Sequence, residues 1–283
     1  MADSSTYISF QGEMGAYSHM ACQAKMPHMD ALPCPSFKEA LTAVSDGRAK
    51  LAMIPIENST AGRVADIHIL LPGSGLKIID EFFLKINHCL LAKKGKTIRD
   101  LTSVISHTQA LGQCRDYLSL KKLTPIPFAD TAGSARAVAE GAPPSQGAIA
   151  SELAAKVYGL DILEKDIQDM ANNTTRFIVL SRQALTPAEI TKLSGPLMTS
   201  FTFEVKNIPA ALYKALGGFA TNAVNMTKLE SYYESDSFTA TEFYAEIVGE
   251  PTTPSVARAF EELQLFSKRL SILGTYPQAK SRG

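Results

Sequence analysis

The apolar positions of the first part of the chain come in short runs, separated by stretches with helical spacing. The apolar runs that predict strands are residues 7–10, 51–54, 104–105, 148–150 and 177–180. The helical stretches between them are residues 37–44, 133–140 and 151–158. Pro55 is expected to end the second strand, and Gly141 and Gly159 to close the later helices. Because strands that alternate with helices are typical of parallel sheets, the pattern predicts an α/β domain with parallel sheets.

The pattern changes after residue 182. Residues 183–197 contain Thr186-Pro187 and Ser194-Gly195-Pro196, which indicates a linker with at most a turn of helix. Beyond it, residues 201–205 and 243–247 alternate as in half-buried strands, and helical spacing follows each of them. With strands also expected at residues 225–230 and 270–273, the predicted order is βαββαβ, a ferredoxin-like arrangement.

Composition narrows the class of protein. The 283 residues are 45% hydrophobic and 20% charged, with 28 basic and 28 acidic side chains. This zero balance gives no support for a nucleic-acid or membrane partner. The four cysteines are widely spaced, so we expect reduced thiols in a cytoplasmic protein, and no secretory signal is visible before residue 7. No histidine and carboxylate cluster has metal-ligand spacing.

Two polar segments follow the first predicted strands. Residues 12–19 form a glycine-bearing loop at a helix start, which presents backbone N–H groups to an anion or, the favoured interpretation, only caps the helix. Residues 55–60 bring a carboxylate, an amide and two hydroxyls to the carboxyl end of a strand, where ligands gather in α/β sheets. Capping of the next helix is an equally good interpretation of this second segment.

Two further segments stand beside later strands. Ser106 and His107 follow a strand, with Gln113 beyond, but no G-x-S-x-G elbow is present and a hydrolase is a weak interpretation. Residues 172–177 combine amides, hydroxyls and a cation, and Arg176 either forks onto a carboxylate or locks the loop through an ion pair. His88, beside an apolar run, is expected to be a hydrogen-bonded structural residue.

Taken together, these segments resemble the prephenate dehydratase family. The matching stretches, in the family's order, are Gly12-x-x-Gly15-x-Tyr17-Ser18-His19, Pro55-Ile56-Glu57-Asn58-Ser59, Asn87-His88-Cys89-Leu90, Ser106-His107 with Gln113-Cys114, and Thr175-Arg176-Phe177. The C-terminal part resembles an ACT regulatory domain, with Ala211-Leu212 and Leu229-Glu230-Ser231 at its GALV and ESRP signatures. It departs from those signatures at Ala210, where the family has glycine, and at Tyr232-Tyr233, where the family has Arg-Pro.

The resemblance implies a domain plan and a reaction. A catalytic domain over residues 6–182 would have two α/β lobes like a type II periplasmic binding protein, with a cleft between them. A linker over 183–197 would join it to an ACT domain over 198–278. The implied reaction is the decarboxylative dehydration of prephenate to phenylpyruvate, carbon dioxide and water in L-phenylalanine biosynthesis, without cofactor or metal. L-phenylalanine would be a feedback inhibitor, and the protein a homodimer or homotetramer.

The family's motifs also imply roles for single residues. The implied catalytic residues are Thr175, Arg176, Glu57, Asn58, Ser106 and Gln113. The implied substrate-binding residues are Ser59, Thr174, Phe177, Gly15, Tyr17, Ser18 and Thr131. The implied allosteric L-phenylalanine site comprises Ala210, Ala211, Leu212, Asn222, Glu230 and Ser231. Because a neutral alcohol is a poor general acid, Thr175 is expected to direct a hydrogen bond at the departing hydroxyl.

Other functions compete with this hypothesis. Arogenate dehydratase performs the same elimination on the transaminated substrate, and no residue named here separates the two. A non-catalytic amino-acid-binding module has the same two-lobed fold, although it would not need the Thr175-Arg176-Phe177 motif. For the C-terminal domain, the alternative to phenylalanine binding is a dimerisation module without a ligand.

Overall fold

The computed structural model describes residues 6–232 and 242–282, so Tyr233 lies outside the described residues. The strands are β1 (Tyr7–Gln11), β2 (Asp30–Cys34), β3 (Leu51–Asn58), β4 (Gly62–Arg63), β5 (Lys77–Lys85), β6 (Cys89–Ala92), β7 (Ser103–His107), β8 (Thr124–Phe128), β9 (Gln146–Ala150), β10 (Asp161–Glu164), β11 (Thr174–Ser181), β12 (Leu197–Val205), β13 (Met226–Tyr232), β14 (Glu242–Val248) and β15 (Ser267–Pro277). The helices are α1 (Tyr17–Lys25), α2 (Phe37–Ser45), α3 (Ala65–Gly73), α4 (Thr108–Gln113), α5 (Arg115–Lys121), α6 (Thr131–Glu140), α7 (Glu152–Tyr158), α8 (Pro187–Ile190), α9 (Ala211–Thr221) and α10 (Pro254–Phe266).

Local capping signals explain why several helices begin and end where the sequence predicts. The hydroxyl of Ser151 accepts from the backbone N–H of Ala154 at the start of α7, and Gly159 ends that helix in the left-handed conformation. The hydroxyl of Ser36 likewise accepts from the N–H of Glu39 at 3.1 Å. Helix α8 lies inside the predicted linker and has a complete capping box between Thr186 and Glu189.

Three predicted strand ends were wrong, and all three concern candidate residues. Strand β3 continues through Pro55, so Glu57 and Asn58 belong to the strand and not to a loop. The pairing of β3 with β1 covers only Leu51 and Ala52, and a proline beyond it removes no hydrogen bond from that ladder. Ser106 in β7 and Thr175 in β11 also lie within strands that begin or end further out than their apolar runs.

The predicted parallel pairing is confirmed for some of the strands only. The first sheet has the order β2-β1-β3-β11-β5, with β4 on β3, and β1 pairs in parallel with both β2 and β3. The second sheet has the order β10-β6-β9-β7-β8. There β7 is parallel to β8 and β9, whereas β6 is antiparallel to β9 and β10. Because both parallel and antiparallel pairs occur, the fold is mixed α/β. A short apolar run such as residues 89–92 does not indicate the direction of its strand, so the sequence could not predict this.

The chain forms two compact units. The first comprises the described residues up to Ala43 together with Arg48–Arg63 and Phe83–Phe177. Two apolar clusters fill it, one around Leu90, Val104 and Ile149 and the other around Leu91, Ala148 and Ala150. Cys22, Cys34, Cys89 and Cys114 are buried and unpaired, as expected, and burial raises the pKa of the Cys114 thiol to about 12.

The second unit comprises Val44–Gly47, Val64–Phe82 and the described chain from Ile178 onward. Its elements β12, α9, β13, β14, α10 and β15 confirm the predicted βαββαβ order, and the sheet runs β13-β14-β12-β15 with antiparallel pairs. Phenylalanine rings fill its core, with Phe201 4.9 Å from Phe260 and 5.7 Å from Phe219 between ring centroids. None of the described helices has both the length and the apolar character needed to cross a membrane.

Candidate active site

The side chain of Asn58, the last residue of β3, has a fixed orientation. Its Oδ1 accepts from the backbone N–H groups of Thr60 and Ala61, each at 3.0 Å. A backbone N–H can only donate, so the atom facing it must be the amide oxygen. The amide nitrogen Nδ2 therefore points the other way, 2.8 Å from Oδ1 of Asn173 and 2.9 Å from Oγ1 of Thr175.

Four side chains close a ring of hydrogen bonds, which we call the amide ring: Asn58, Asn173, Gln113 and Thr60. After the bond from Asn58, Nδ2 of Asn173 donates to Oε1 of Gln113 at 3.0 Å. Nε2 of Gln113 donates to Oγ1 of Thr60 at 2.7 Å, and Oγ1 of Thr60 donates back to Oδ1 of Asn58 at 2.7 Å. The ring joins β3, α4 and the segment before β11, all within the first unit.

A histidine and a tyrosine extend the amide ring on one side. His88 is 2% exposed, with Nε2 2.8 Å from Oε1 of Gln113 and Nδ1 2.7 Å from the hydroxyl of Tyr17. Burial lowers the pKa of His88 below 6.5, against the opposing effect of the Gln113 hydrogen bond. Burial also raises the pKa of Tyr17 well above its ordinary value, so both groups are held neutral at pH 7. The prediction that His88 is hydrogen-bonded is confirmed.

A pocket of about 360 Å³ lies against the amide ring. Thr60, Gln113 and Asn173 line it, together with Gln109, Gln168 and Asp169 among others. Its volume is at the lower end of the range found for small-molecule sites. A lining rich in neutral amides suits a small polar ligand that is to be oriented by hydrogen bonds.

Arg176 and Glu57 form an ion pair beneath this region. Nη1 of Arg176 lies 3.7 Å from Oε2 of Glu57, and the side chain of Arg176 is only 3% exposed while that of Glu57 is 35% exposed. A buried guanidinium held by a carboxylate is typical of a structural role. The geometry thus favours the interpretation in which Arg176 holds the end of β11 in place.

Several other candidate residues have their polar groups engaged by the protein itself. The N–H of Gly15 donates to Nδ1 of His19 at 3.0 Å, so the expected free N–H is taken at that residue. Gly15 has φ +88°, and a Cβ there would approach Cα of Ala154 to 2.8 Å, which explains the glycine. The hydroxyl of Ser106 is buried and donates to the backbone oxygen of Ile149 at 2.6 Å, away from the amide ring.

The remaining substrate-binding candidates lie at strand ends, at a helix start or in buried positions. The hydroxyl of Ser59 accepts from the N–H of Thr174 at 2.9 Å, and the N–H of Ser59 donates to the Thr174 oxygen at the same distance. Phe177 is 1% exposed and Ser18 8% exposed, so both pack inside the unit. Thr131 is the first residue of α6, where Asp130 caps the helix.

Comparison with known proteins identifies the family. A family model described as prephenate dehydratase matches residues 8–185. The chain belongs to the prephenate dehydratase family. The bifunctional N-acyl-homoserine lactone acylase/prephenate dehydratase of Komagataeibacter europaeus is 46% identical over 275 residues, which cover 97% of this chain and 97% of that protein.

Two further similar proteins have names that include prephenate dehydratase. The chloroplastic arogenate dehydratase/prephenate dehydratase 1 of Arabidopsis thaliana is 36% identical over 289 residues, covering 97% of this chain and 73% of that protein. The crystal structure of the Arthrobacter aurescens prephenate dehydratase in complex with L-Phe is 30% identical, with a TM-score of 0.86, and covers 96% of this chain and 90% of that one.

The residues proposed for an effector site of this prephenate dehydratase family member lie apart within one chain. Ala210 precedes α9 in the left-handed conformation, with φ +58°, whereas Asn222 follows the other end of that helix. At 1.5 Å per residue their backbones are about 18 Å apart. Asn222 instead contacts Glu262, with Nδ2 3.0 Å from Oε1. Ala211 is buried in the core, and Glu230 and Ser231 lie on β13.

Sequence reasoning missed Thr60 and Asn173 as site members of this prephenate dehydratase family protein. Both belong to polar segments that were singled out, but each follows or precedes the family motif by one or two positions. In the sequence, each is only a hydroxyl or an amide next to a residue of a family motif. Such a position does not indicate which side chains will face each other in the fold. Among residues 6–232 and 242–282, no three His, Cys, Asp or Glu side chains lie close enough to hold a metal ion.

Proposed function

We propose that this chain catalyses the decarboxylative dehydration of prephenate to phenylpyruvate, carbon dioxide and water. The bond from the ring to its carboxylate breaks, its electron pair enters the ring, and the hydroxyl departs with its own bonding pair and gains a proton. Because the product ring is aromatic, the protein needs to position the substrate and stabilise the departing oxygen rather than supply a strong nucleophile.

The contact between Asn58 and Thr175 carries this proposal. The amide of Asn58 donates to Oγ1 of Thr175, so that contact leaves the hydroxyl hydrogen of Thr175 available to a ligand. Thr175 is half-buried at the start of β11, two residues after Asn173, which lines the pocket, and bulk water is partly excluded from such a position. In this role Thr175 directs a hydrogen bond at the departing hydroxyl, Asn58 orients Thr175, and the second N–H of Gln113 holds the substrate.

The test is a direct assay with prephenate. We expect loss of prephenate with the appearance of phenylpyruvate, read by its absorbance in alkali, and an incubation without protein measures spontaneous aromatisation. Equal rates with and without protein would remove the proposed activity and leave a binding module as the better hypothesis.

Arogenate is the alternative substrate for the same site. A relative in Arabidopsis is named for both activities, and it is 36% identical to this chain. Arogenate carries an amino group where prephenate carries a ketone, so the two substrates differ in charge beside the side-chain carboxylate. Comparison of kcat/KM for the two substrates under identical conditions decides the preference.

The C-terminal βαββαβ fold is proposed to be an ACT domain over residues 198–278 that binds L-phenylalanine as a feedback inhibitor. The support is its element order and the complex of the Arthrobacter aurescens relative with L-Phe. Since Ala210 and Asn222 lie at opposite ends of α9, a single pocket that uses both would need two copies of the chain, as in a homodimer or homotetramer. Calorimetry with L-phenylalanine, together with inhibition of turnover, tests the regulatory role.

The proposed plan also includes a catalytic domain over residues 6–182 with two lobes like a type II periplasmic binding protein, and a linker over 183–197. A cytoplasmic location fits the four unpaired cysteines. Limited proteolysis tests the linker, since residues 183–197 should be cleaved before the flanking strands and helices.

A second activity deserves a direct assay because the relative with 46% identity is named a bifunctional acylase. Release of homoserine lactone from an N-acyl-homoserine lactone, followed by mass spectrometry, would reveal an acylase activity in this chain. Thr175→Ala in the same assay would show whether the two activities share one hydroxyl.

A further inference from the structure

We infer that Thr60, Asn173 and His88 are positioning residues that maintain the direction of the hydrogen bonds in the amide ring and so keep the hydroxyl of Thr175 a donor. The inference rests on the proposed dehydration. It predicts which atom donates in each hydrogen bond of the amide ring, and this can be measured without turnover.

The direction starts at backbone atoms. The N–H groups of Thr60 and Ala61 fix Oδ1 of Asn58 as an acceptor, and therefore fix Nδ2 as the donor to Oδ1 of Asn173. Since Oδ1 of Asn173 then accepts, its Nδ2 must be the donor to Oε1 of Gln113. Each side-chain amide in the ring therefore donates through its nitrogen to the oxygen of the next residue.

The direction ends at a histidine tautomer. Oε1 of Gln113 accepts from Asn173, so the ring nitrogen 2.8 Å away on its other side, Nε2 of His88, must carry a hydrogen. A neutral imidazole then has a bare Nδ1, which accepts from the hydroxyl of Tyr17 at 2.7 Å. The backbone oxygen of Asn87, 3.0 Å from the same hydroxyl, is a second acceptor, and in this tautomer the single hydrogen of Tyr17 goes to the nearer Nδ1. His88 thus holds the oxygen of Gln113 with a second donor and stops that amide from rotating.

The effect on Thr175 is clear when the observed direction of the hydrogen bonds is compared with the opposite direction. If the bonds ran the other way, Asn58 would present its oxygen to Oγ1 of Thr175, and the threonine hydrogen would be used to donate to it. In the observed sense the amide nitrogen faces Oγ1, and the hydrogen is left for the departing oxygen of a substrate. Thr60, Asn173 and His88 touch no reacting atom in this account and act through Asn58 and Gln113.

The first test reads the tautomer of His88 by nitrogen NMR of protein labelled with ¹⁵N-histidine, with His88→Gln used to assign its signals. We expect the neutral form protonated at Nε2. Protonation at Nδ1 alone would overturn the inference, whatever the activity of the protein.

The second test reverses one link. Asn173→Asp replaces the donor that faces Gln113 with an acceptor, so Gln113 should rotate and present its nitrogen to both neighbours. His88 should then switch to the tautomer protonated at Nδ1, although residue 173 does not donate to it. An unchanged tautomer in the folded variant would show that direction is not transmitted, and would overturn the inference.

The third test links direction to catalysis. Thr60→Val removes the hydroxyl that closes the ring, and we expect kcat with prephenate to fall about tenfold to a hundredfold, with a smaller change in KM. Thr60→Ser retains the hydroxyl and should restore most of the lost kcat. Thr102→Val is the matched control, because Thr102 is exposed and its hydroxyl only donates to Ser145 at 3.4 Å.

The outcomes separate the inference from the function on which it rests. Equal kcat values for Thr60→Val and Thr60→Ser would overturn the positioning role while leaving the dehydratase proposal intact. A wild-type protein that does not turn over prephenate would remove the function, yet the tautomer of His88 would still report the direction of the ring.

Discussion

The side-chain amide of Asn58 lies 2.9 Å from the hydroxyl oxygen of Thr175, and the amide nitrogen is the donor in that contact. The two residues are 117 positions apart in sequence and come from the ends of β3 and β11. The contact therefore depends on the sheet that holds both strands. It orients the hydroxyl of Thr175, whereas the family motif identifies this residue but does not give its orientation.

Replacement of Thr175 tests whether that hydroxyl acts on the departing oxygen. Thr175→Ala should lower kcat for prephenate by about 10²–10³, the range measured when one directed donor is removed from an active site. KM should change little, and stability should fall by only about 1 kcal/mol because one hydrogen bond at a half-buried position is lost. Thr175→Ser keeps the hydroxyl and should retain a large part of kcat. A kcat for Thr175→Ala within a few-fold of wild type would refute the role of Thr175.

The buried histidine of the site predicts a pH dependence of stability. Because burial lowers the pKa of His88 below 6.5, the unfolded chain binds a proton that the folded chain lacks when the pH falls below about 6.5. The free energy of unfolding should therefore decrease through this window and be unaffected by His88 above it. His88→Gln should reduce the decline of Tm between about pH 7 and about pH 5 relative to wild type. Parallel Tm curves for the two proteins would contradict the prediction.

The sequence predicted correctly those parts of the fold that depend on interactions between residues close together in the chain. Ser151 and Gly159 bound α7 because a cap acts within one helical turn, and these residue types signal it directly. The end of β3 was mispredicted because Pro55 was taken as a breaker. Whether a proline breaks a strand depends on which neighbouring strand needs its N–H, and that is a tertiary property.

The site was predicted as a set of segments but not as an arrangement. Each of the five motif stretches has a residue in the amide ring, in its extension or in contact with it, yet Ser106, from one of these stretches, donates to the backbone of Ile149. Thr60 and Gln113 are 53 positions apart, and Asn58 and Asn173 are 115 apart. No periodicity in the sequence encodes such pairings, so the direction of the hydrogen bonds in the ring is visible only in the folded structure.

The left-handed backbone of Ala210 predicts a stabilising substitution. Ala210 is exposed and has φ +58°, a conformation that costs a residue with a Cβ about 1–2 kcal/mol and that glycine adopts readily. Since glycine also loses more backbone entropy on folding, Ala210→Gly should raise the free energy of unfolding by about 1 kcal/mol at most. Ala220→Gly is the matched control, because Ala220 is exposed within α9, where glycine should lower stability by up to about 1 kcal/mol. Urea unfolding of both variants measures the contrast, and a loss of stability in Ala210→Gly would contradict the argument.

The last described residues predict a strong electrostatic coupling in the second unit. Arg282 lies between two buried carboxylates, with Nε 2.9 Å from Oε1 of Glu81 and Nη2 2.6 Å from Oε2 of Glu246. Glu81 is 1% exposed and Glu246 0% exposed, so removal of the guanidinium would leave two buried carboxylates without this cation, although the N–H of Ala279 and the hydroxyl of Tyr244 would still donate to them. Arg282→Met should therefore lower the free energy of unfolding by about 3–5 kcal/mol. The exposed Lys280→Met, two residues away, should change it by no more than about 0.5 kcal/mol.

A double variant separates the loss of a charge pair from the loss of contacts at the C-terminal end. Glu81→Gln in the Arg282→Met background removes one of the stranded charges, and it should restore part of the lost stability even though Glu81→Gln alone is destabilising. The coupling free energy from this cycle, measured by chemical denaturation, should exceed about 1 kcal/mol. Additive effects of the two substitutions would mean that Arg282 stabilises the unit by packing over β14 and not by neutralising the buried carboxylates.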